Sequence, residues 1–288
     1  MKSSYKEMTV KTALTKLKRK IPYGWDLNIY RGCEHGCTYC FARYTQKYLN
    51  SEDFFGEVFV KTNIVEVLER TLSSHKWKGE VINIGGITDS YQPCEEKYRL
   101  MPEILKLMIK YKTPVIISSK SDLILRDYHL IDQLSRITYV NIAQSIITLD
   151  ENLRKAVEPG SSPVENRFNV LKEFKKTRAS IGLHMMPILP YLTDSRENLE
   201  FIIKKAGDIG VDYMLPGTLY LRGTTKPAFM SFLESNFSEV YPRYKKLYSR
   251  GSAGKEYKNS LYKNVNEFRK IYCVPSSYMK PMRERMEE

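Results

Sequence analysis

The chain has 288 residues, 42% hydrophobic and 27% charged, a composition that suits a globular protein able to bury a substantial core. No run of about 18 apolar residues offers a membrane span, and the opening MKSSYKEMTVKTALTKLKRK lacks the apolar centre of a signal peptide, so the expectation is a cytoplasmic protein with no membrane partner. Five cysteines in a chain of this length argue against a disulfide scaffold and for metal or redox chemistry where they cluster, while a net charge of +13 favours a polyanionic partner, with a solvated lysine-rich surface as the plain alternative.

No internal period repeats. In chain order, DLNIYRG (26–32) is the first predicted strand and leads into a cysteine-bearing loop. NIVEVLERTL (63–72) reads as a helix, with Ile64, Leu68 and Leu72 one turn apart and Val65 beside them. VINIGG (81–86) is a strand running into glycines. MPEILKLMIKY (101–111) is a helix with proline near its start and Met101, Ile104, Leu105 and Met108 on one face. PVIISSK (114–120) is a strand, LILRDYHLIDQL (123–134) a helix and TYVNIAQSI (138–146) a strand, followed by a helix around 163–177. The strand SIGLHMMPIL (180–189), the helix RENLEFIIKKA (196–206) and the strand VDYMLP (211–216) complete six such units.

These strands are continuous rather than alternating apolar runs, which implies a parallel sheet covered on both faces. The series stops near residue 217. The expected fold is therefore α/β, a partial (β/α)6 TIM-like barrel over 23–217. An N-terminal segment (1–22) precedes it, and a mostly helical, Tyr-, Lys- and Pro-rich C-terminal extension (218–288) packs on it. A doubly wound open sheet is the alternative, but no GxGxxG follows a strand. Barrel chemistry gathers at the C-terminal strand ends, here RGCEHGC, GGITDSYQP, SSKSD, AQSIITLD and HMMPILPYLTD.

The first of these loops carries Cys33, Cys37 and Cys40. Three thiolates are one short of a closed zinc site. Iron–sulfur clusters are held by such thiolates, and three ligands leave one iron open for chemistry. Gly32 and Gly36 permit a tight wrap, and Arg31 and Arg43 stand beside the loop. A zinc knuckle with His35 as fourth ligand is the alternative, although His35 falls between the first two cysteines, where bending back strains the loop. Cys94 and Cys273 stand apart and read as small buried hydrophobes.

Cys33-x3-Cys37-x2-Cys40, with Tyr39 before the last cysteine and at the end of a first barrel strand, resembles the radical S-adenosylmethionine (radical SAM) superfamily. NIYRGCEHGCTYCFARY, ITDSYQPCEEKY, SSKSDLILRD, EPGSSPVENRFNVLKEF, MPILPYLTD and LYSRGSAGKEY together resemble its spore photoproduct lyase-like, or DNA repair photolyase-like, branch over about residues 20 to 272. The resemblance implies an enzyme with a 4Fe-4S cluster on the three cysteines and S-adenosyl-L-methionine on the open iron. In that chemistry a 5′-deoxyadenosyl radical takes a hydrogen from the substrate, and a flavodoxin- or ferredoxin-type protein donates the electron. It implies a nucleic-acid base or nucleotide as substrate. A peptide or small-metabolite substrate is one alternative, and a non-catalytic metal-bearing nucleic-acid-binding protein is another.

Carried over by position, Tyr39 presents its backbone to the adenine, Lys120 and Ser145 contact the methionyl or ribose groups, and Asp89 lies near the ribose; a cation suits the carboxylate and hydroxyls suit ribose. Arg167, with Glu158, either frames this pocket or forms a solvated helix-cap pair. His184 is a catalytic candidate, with a satisfied core histidine as the plainer reading. One departure stands out. Spore photoproduct lyases carry a cysteine after the second strand that returns a hydrogen atom to the thymine radical, and here Ile87 occupies that place. Cys94 substitutes only if its loop folds back, so repair of the spore lesion itself is not expected. In the tail, Arg243, Lys245, Lys246, Arg250, Lys255, Lys258 and Lys263 interleave with Tyr241, Tyr244, Tyr248, Tyr257 and Tyr262. That pattern suits phosphates and stacked bases, or tyrosines packed on the barrel with lysines in water.

Overall fold

The computed structural model describes residues 3–287 except 19, 20, 22, 49, 50 and 52. The N-terminal segment contributes two strands, β1 (Ser4–Met8) and β2 (Leu14–Lys16); its residues 1, 2, 19, 20 and 22 lie outside the described ones. β3 (Trp25–Leu27) and β4 (Tyr30–Arg31) frame the start of the cysteine loop, which runs into a 3-10 helix, Phe41–Tyr48. Then come β5 (Glu57–Lys61), α1 (Ile64–Leu72), β6 (Ile82–Ile84), α2 (Cys94–Tyr98), α3 (Leu100–Lys110) and β7 (Val115–Ser119). The stretch expected as one helix over 123–134 divides into a 3-10 turn, Leu123–Asp127, and α4 (Tyr128–Ser135). The barrel part ends with β8 (Val140–Ser145), α5 (Glu151–Val157), α6 (Val164–Phe174), β9 (Ser180–Ile188), α7 (Arg196–Ile209) and β10 (Tyr213–Thr218).

The main sheet runs β10-β9-β8-β7-β6-β3-β2. From β3 to β10 every pairing is parallel, and β2 closes the β3 edge antiparallel. Each of the six predicted strands lies beside the next one in the chain, without the reversal of order that defines a doubly wound sheet. This is the partial barrel. A smaller sheet, β1-β5-β4, joins the N-terminal segment to the first crossover; β4 is the end of the strand predicted over 26–32, which divides in two, and β1 and β5 had no predicted counterpart.

The two faces of the main sheet differ. Ile82, Ile84, Val115, Ile117, Val140, Ile142, Ile181 and Leu183 point to the helices and form the main core with Leu68, Ile104, Phe168 and Ile202. The α1 and α3 faces predicted from periodicity are buried, with Val65 only partly so. The alternate residues face the barrel interior, and many of them are polar, with Ile116 and Ala143 as exceptions. Asn83 donates to Asp26 at 2.8 Å, Asn141 to the Ser180 hydroxyl at 3.1 Å, and Tyr213 to Asn141 at 2.8 Å. Gly182 makes room for the Tyr213 ring, which an added Cβ would strike. A barrel filled for stability alone carries branched apolar layers here.

After β10 come α8 (Thr225–Asn236), α9 (Tyr241–Leu247), α10 (Lys255–Ile271) and α11 (Met279–Glu287). α10 lays Leu261, Val265 and Phe268 into the main core. α8 and α9 build a second core whose members include Cys37 and Tyr39. The C-terminal helices therefore pack on the cysteine loop as well as on the barrel. No helix among the described residues is long and apolar enough to cross a membrane.

Candidate active site

The cysteine loop is shaped by its glycines. Gly32 and Gly36 take φ of 81° and 62°, the left-handed region that costs residues with a Cβ, and a Cβ on Gly32 would meet the Glu57 carbonyl. Main-chain bonds tie the loop to its surroundings: Cys33 N to Phe54 O at 3.1 Å, Thr38 N to Val157 O at 3.0 Å, and Gly160 N to His35 O at 3.0 Å. Gln92, fully buried, spans the first turn. Its amide donates to Gly32 O at 3.2 Å and accepts from Glu34 N at 2.9 Å.

All three cysteines are free, Cys33 and Cys37 buried and Cys40 half-buried. Main-chain N–H groups of His35 and Asp89 face the Cys33 sulfur, and those of Ala42 and Arg43 face Cys40. Burial, then Asp89, pushes the Cys33 thiol up to about 12. Among the described residues, no three His, Cys, Asp or Glu side chains converge on one metal ion. His35, the candidate fourth zinc ligand, turns its Nδ1 to Asp89 at 3.4 Å. A cluster offers separate irons to separate thiolates and needs no such convergence. Three free thiols, two of them facing N–H donors, are the ligand set it takes.

The neighbouring strand ends bring the other candidates level. Ser145 pairs with His184 in the β8–β9 register, and Lys120 follows Ser119, which pairs with Gln144. Lys120, Ser145 and His184 thus share one layer on adjoining strands. The Lys120 ammonium lies 6.0 Å from the Tyr39 ring centre and 4.0 Å from Glu158. Burial pulls Lys120 down, but Glu158 and the Cys37 sulfur outweigh it and leave its pKa raised. His184 contacts the Tyr213 hydroxyl at 3.2 Å through Nε2. That hydroxyl already donates to Asn141, so Nε2 carries the donated hydrogen.

Glu158 and Arg167 are not a solvated helix-cap pair. Both are fully buried and joined at 2.7 Å. Arg167 also donates to Ser145 O at 2.7 Å and to the Ser161 hydroxyl at 2.9 Å, and the buried Tyr39 hydroxyl donates to Glu158. Glu158 follows α5 and Arg167 stands on α6, so the turn between these helices brings the pair beneath the cysteine loop, where water is excluded and only complete pairing is tolerated. Asp89 accepts from Ser119 Oγ at 2.9 Å, Lys120 N at 2.7 Å and Tyr91 N at 2.9 Å. With His35 also upon it, the carboxylate acts as a clamp between the second and third strand ends and the cysteine loop.

Cys94 is buried in the main core on the first turn of α2, and its amide donates to Glu34 at 2.7 Å. Cys273 is exposed, against the expectation of burial. It lies in the turn after α10 with φ of 53°, where the chain leaves the core. Ile87 packs against the small cluster of Cys33, Ala42 and Phe54. In the tail, Tyr244 and Tyr248 are fully buried and stacked at 5.5 Å, and Tyr262 accepts from Thr218 N at 3.1 Å. Helical spacing there marked packing. Exposed aromatics gather instead on the 3-10 helix directly after Cys40, Phe41 at 58%, Tyr44 at 43% and Tyr48 at 65% exposure, while Phe201 and Tyr220 are exposed singly. The signal was present in FARYTQKY, which interleaves aromatic and basic residues, but it adjoins the cysteines and was absorbed by them. Gln92 and Glu34 carry no pattern that singles them out in the sequence.

A family model of the Radical SAM superfamily matches residues 27–202, and the chain belongs to that superfamily. An uncharacterised protein of Mycobacterium tuberculosis is 34% identical over 253 residues, covering 86% of this chain and 74% of its own. An uncharacterised protein of Methanocaldococcus jannaschii is 28% identical over 268 residues, covering 90% of this chain and 96% of its own. Among solved structures, spore photoproduct lyase complexed with dinucleoside spore photoproduct matches with a TM-score of 0.67 over 93% of this chain and 79% of that one, at 11% identity. That last likeness is one of fold.

Proposed function

We propose that this protein is a radical SAM enzyme that holds a 4Fe-4S cluster on Cys33, Cys37 and Cys40 and acts on a nucleic-acid base or nucleotide. The observation that carries the reading is the set of three free cysteines on one strand-end loop, beside a layer of Lys120, Ser145 and His184 on adjoining strands. When bound, the cluster and S-adenosylmethionine together supply one-electron cleavage of the sulfonium to methionine and a 5′-deoxyadenosyl radical. Lys120 binds the methionyl carboxylate, its charge kept by Glu158. Ser145 offers a hydroxyl to the amino or ribose group. The buried Tyr39, Glu158 and Arg167 network fixes both from behind and keeps water out. His184, whose pKa burial and Lys120 push down to about 4, is a neutral wall of the pocket.

The substrate class rests on charge and exposed aromatic surface. The chain carries +13, and the helix after Cys40 presents Phe41, Tyr44 and Tyr48 to solvent among Arg43 and Lys47, a surface on which unpaired bases stack. The fold likeness is to a protein solved with a dinucleoside photoproduct. Ile87, packed on the cluster that contains Cys33, is an apolar side chain where the resemblance would put a lyase's hydrogen-donor thiol, so the reaction differs from that lyase's in how the product radical ends. A flavodoxin- or ferredoxin-type protein is the electron donor this chemistry requires.

The test is anaerobic. The protein is reconstituted with iron and sulfide, given dithionite and S-adenosylmethionine, and assayed for 5′-deoxyadenosine with and without UV-irradiated DNA. Cleavage that rises with DNA and vanishes when Cys33, Cys37 and Cys40 become alanine supports the whole reading. Cleavage indifferent to DNA removes the substrate class. Stoichiometric zinc with no cleavage removes the enzyme.

A further inference from the structure

Lys61 ends β5 and is buried, 8% exposed. Its ammonium donates to the Asn28 carbonyl, and among the described residues it pairs with no carboxylate. Arg31 ends β4, and among the described residues it too forms no ion pair. The antiparallel β4–β5 register sets Arg31 opposite Phe59, so Lys61, two residues on, shares its face and is within reach of a long side chain. The two cations feel each other: burial pulls the Lys61 pKa down to about 8, and Arg31 pulls it further in the same direction. A buried ammonium beside a guanidinium with no counter-charge is an unfavourable arrangement that a bound anion would complete.

The pair sits at the end of the barrel where the chemistry is placed. Asn28 joins β3 to β4, and its side chain accepts from Ile87 N at 2.9 Å. Ile87 packs on the cluster that contains Cys33, and Arg31 precedes Cys33 by two residues. A guanidinium fork grips two oxygens of one tetrahedral anion while an ammonium adds a point charge, the combination that suits phosphate.

We propose that Arg31 and Lys61 form a seat for a phosphate group of the substrate at the rim of the barrel mouth. The source of that phosphate rests on the nucleotide reading above; the seat itself rests on two neighbouring cations that have no carboxylate partner among the described residues.

The experiment uses the cluster-reconstituted protein and two probes, a dinucleoside monophosphate and the same dinucleoside with a neutral methylphosphonate linkage. The wild-type protein is expected to bind the charged probe about tenfold more tightly or better, the discrimination of one charge-assisted contact. Lys61→Met and Arg31→Gln each remove that preference, while Lys204→Gln on the exposed face of α7 keeps it. A preference that survives Lys61→Met, or a wild-type protein that binds both probes alike, overturns the seat. Circular-dichroism melting checks folding, and Lys61→Met is expected to melt no lower than wild type, because it removes a buried charge. If the wild type binds neither probe, the nucleotide reading falls and the seat is judged with inorganic phosphate. Saturable phosphate protection lost in Lys61→Met upholds it, and equal protection in both proteins overturns it.

Discussion

At the scale of residues, the site is built from charges that the fold has removed from water. Glu158 shows how the balance is held. Burial pushes its pKa up, Arg167 and Lys120 push it down, and the net position is below the usual carboxylate range. The pairing therefore stabilises the fold at neutral pH and is lost as pH falls through and below that range. Arg167→Met leaves the carboxylate buried with only the more distant ammonium, and urea unfolding is expected to show a loss of about 3–5 kcal/mol. His184 gives the opposite sign of charge and the same direction in pH. Its pKa of about 4 lies below the ordinary 6.5, so its neutral form supports the fold fully above about pH 6.5, and that support is lost as pH falls towards 4. His184→Gln should flatten the dependence of unfolding free energy on pH across that window. His35, also depressed by burial, titrates in both proteins and cancels from the difference.

At the scale of elements, the loop between α5 and α6 matters as much as the cysteine loop it supports. A Cβ on Gly160 would strike the Glu34 carbonyl and come within 2.8 Å of His35 Cα. Gly160→Ala should push the two loops apart, lowering iron bound per chain after reconstitution while the far-UV circular dichroism stays that of the wild type. The 3-10 helix after Cys40 follows the same logic of close approach. With three residues per turn, positions i and i+3 align: Ala42 and Thr45 form the buried row, and Phe41 and Tyr44 the exposed one. The exposed row is a property of that winding, which an α-helical reading of FARYTQKY would distribute differently.

At the scale of the whole molecule, the positive charge is a surface property separate from the tyrosine packing that accompanies it in the tail. Tyr244 on α9 and Tyr248 just after it are interior, stacked in the core that also holds Cys37 and Tyr39, while Arg243, Lys245, Lys246 and Arg250 remain exposed. If this face tracks a phosphate backbone, affinity for a single-stranded oligonucleotide should fall at least about tenfold between roughly 50 and 200 mM salt, from counterion release. Lys245→Gln/Lys246→Gln should shallow that slope, as fluorescence anisotropy across a salt series will show. An unchanged slope would assign the binding to other cations.

What the sequence by itself determined is what depends on near neighbours. The cysteine spacing, the glycines of positive φ, the succession of six strands along the chain and the buried faces of α1 and α3 are carried by periods of two, three and four residues. Those periods survive whatever the rest of the chain does. The tertiary structure alone decided which polar groups lose water and whom they meet instead. Glu158 and Arg167, nine positions apart, read as a surface pair until the α5–α6 loop was folded under the cysteines. Asp89 and His35 meet across two strand ends, Lys61 and Arg31 across an antiparallel register, and the polar barrel interior exists only because each inward strand face turns towards the others. Burial and partnership between residues far apart in the chain are set by strand order, register and closure. None of these is a local quantity, and each reverses the meaning of a charge.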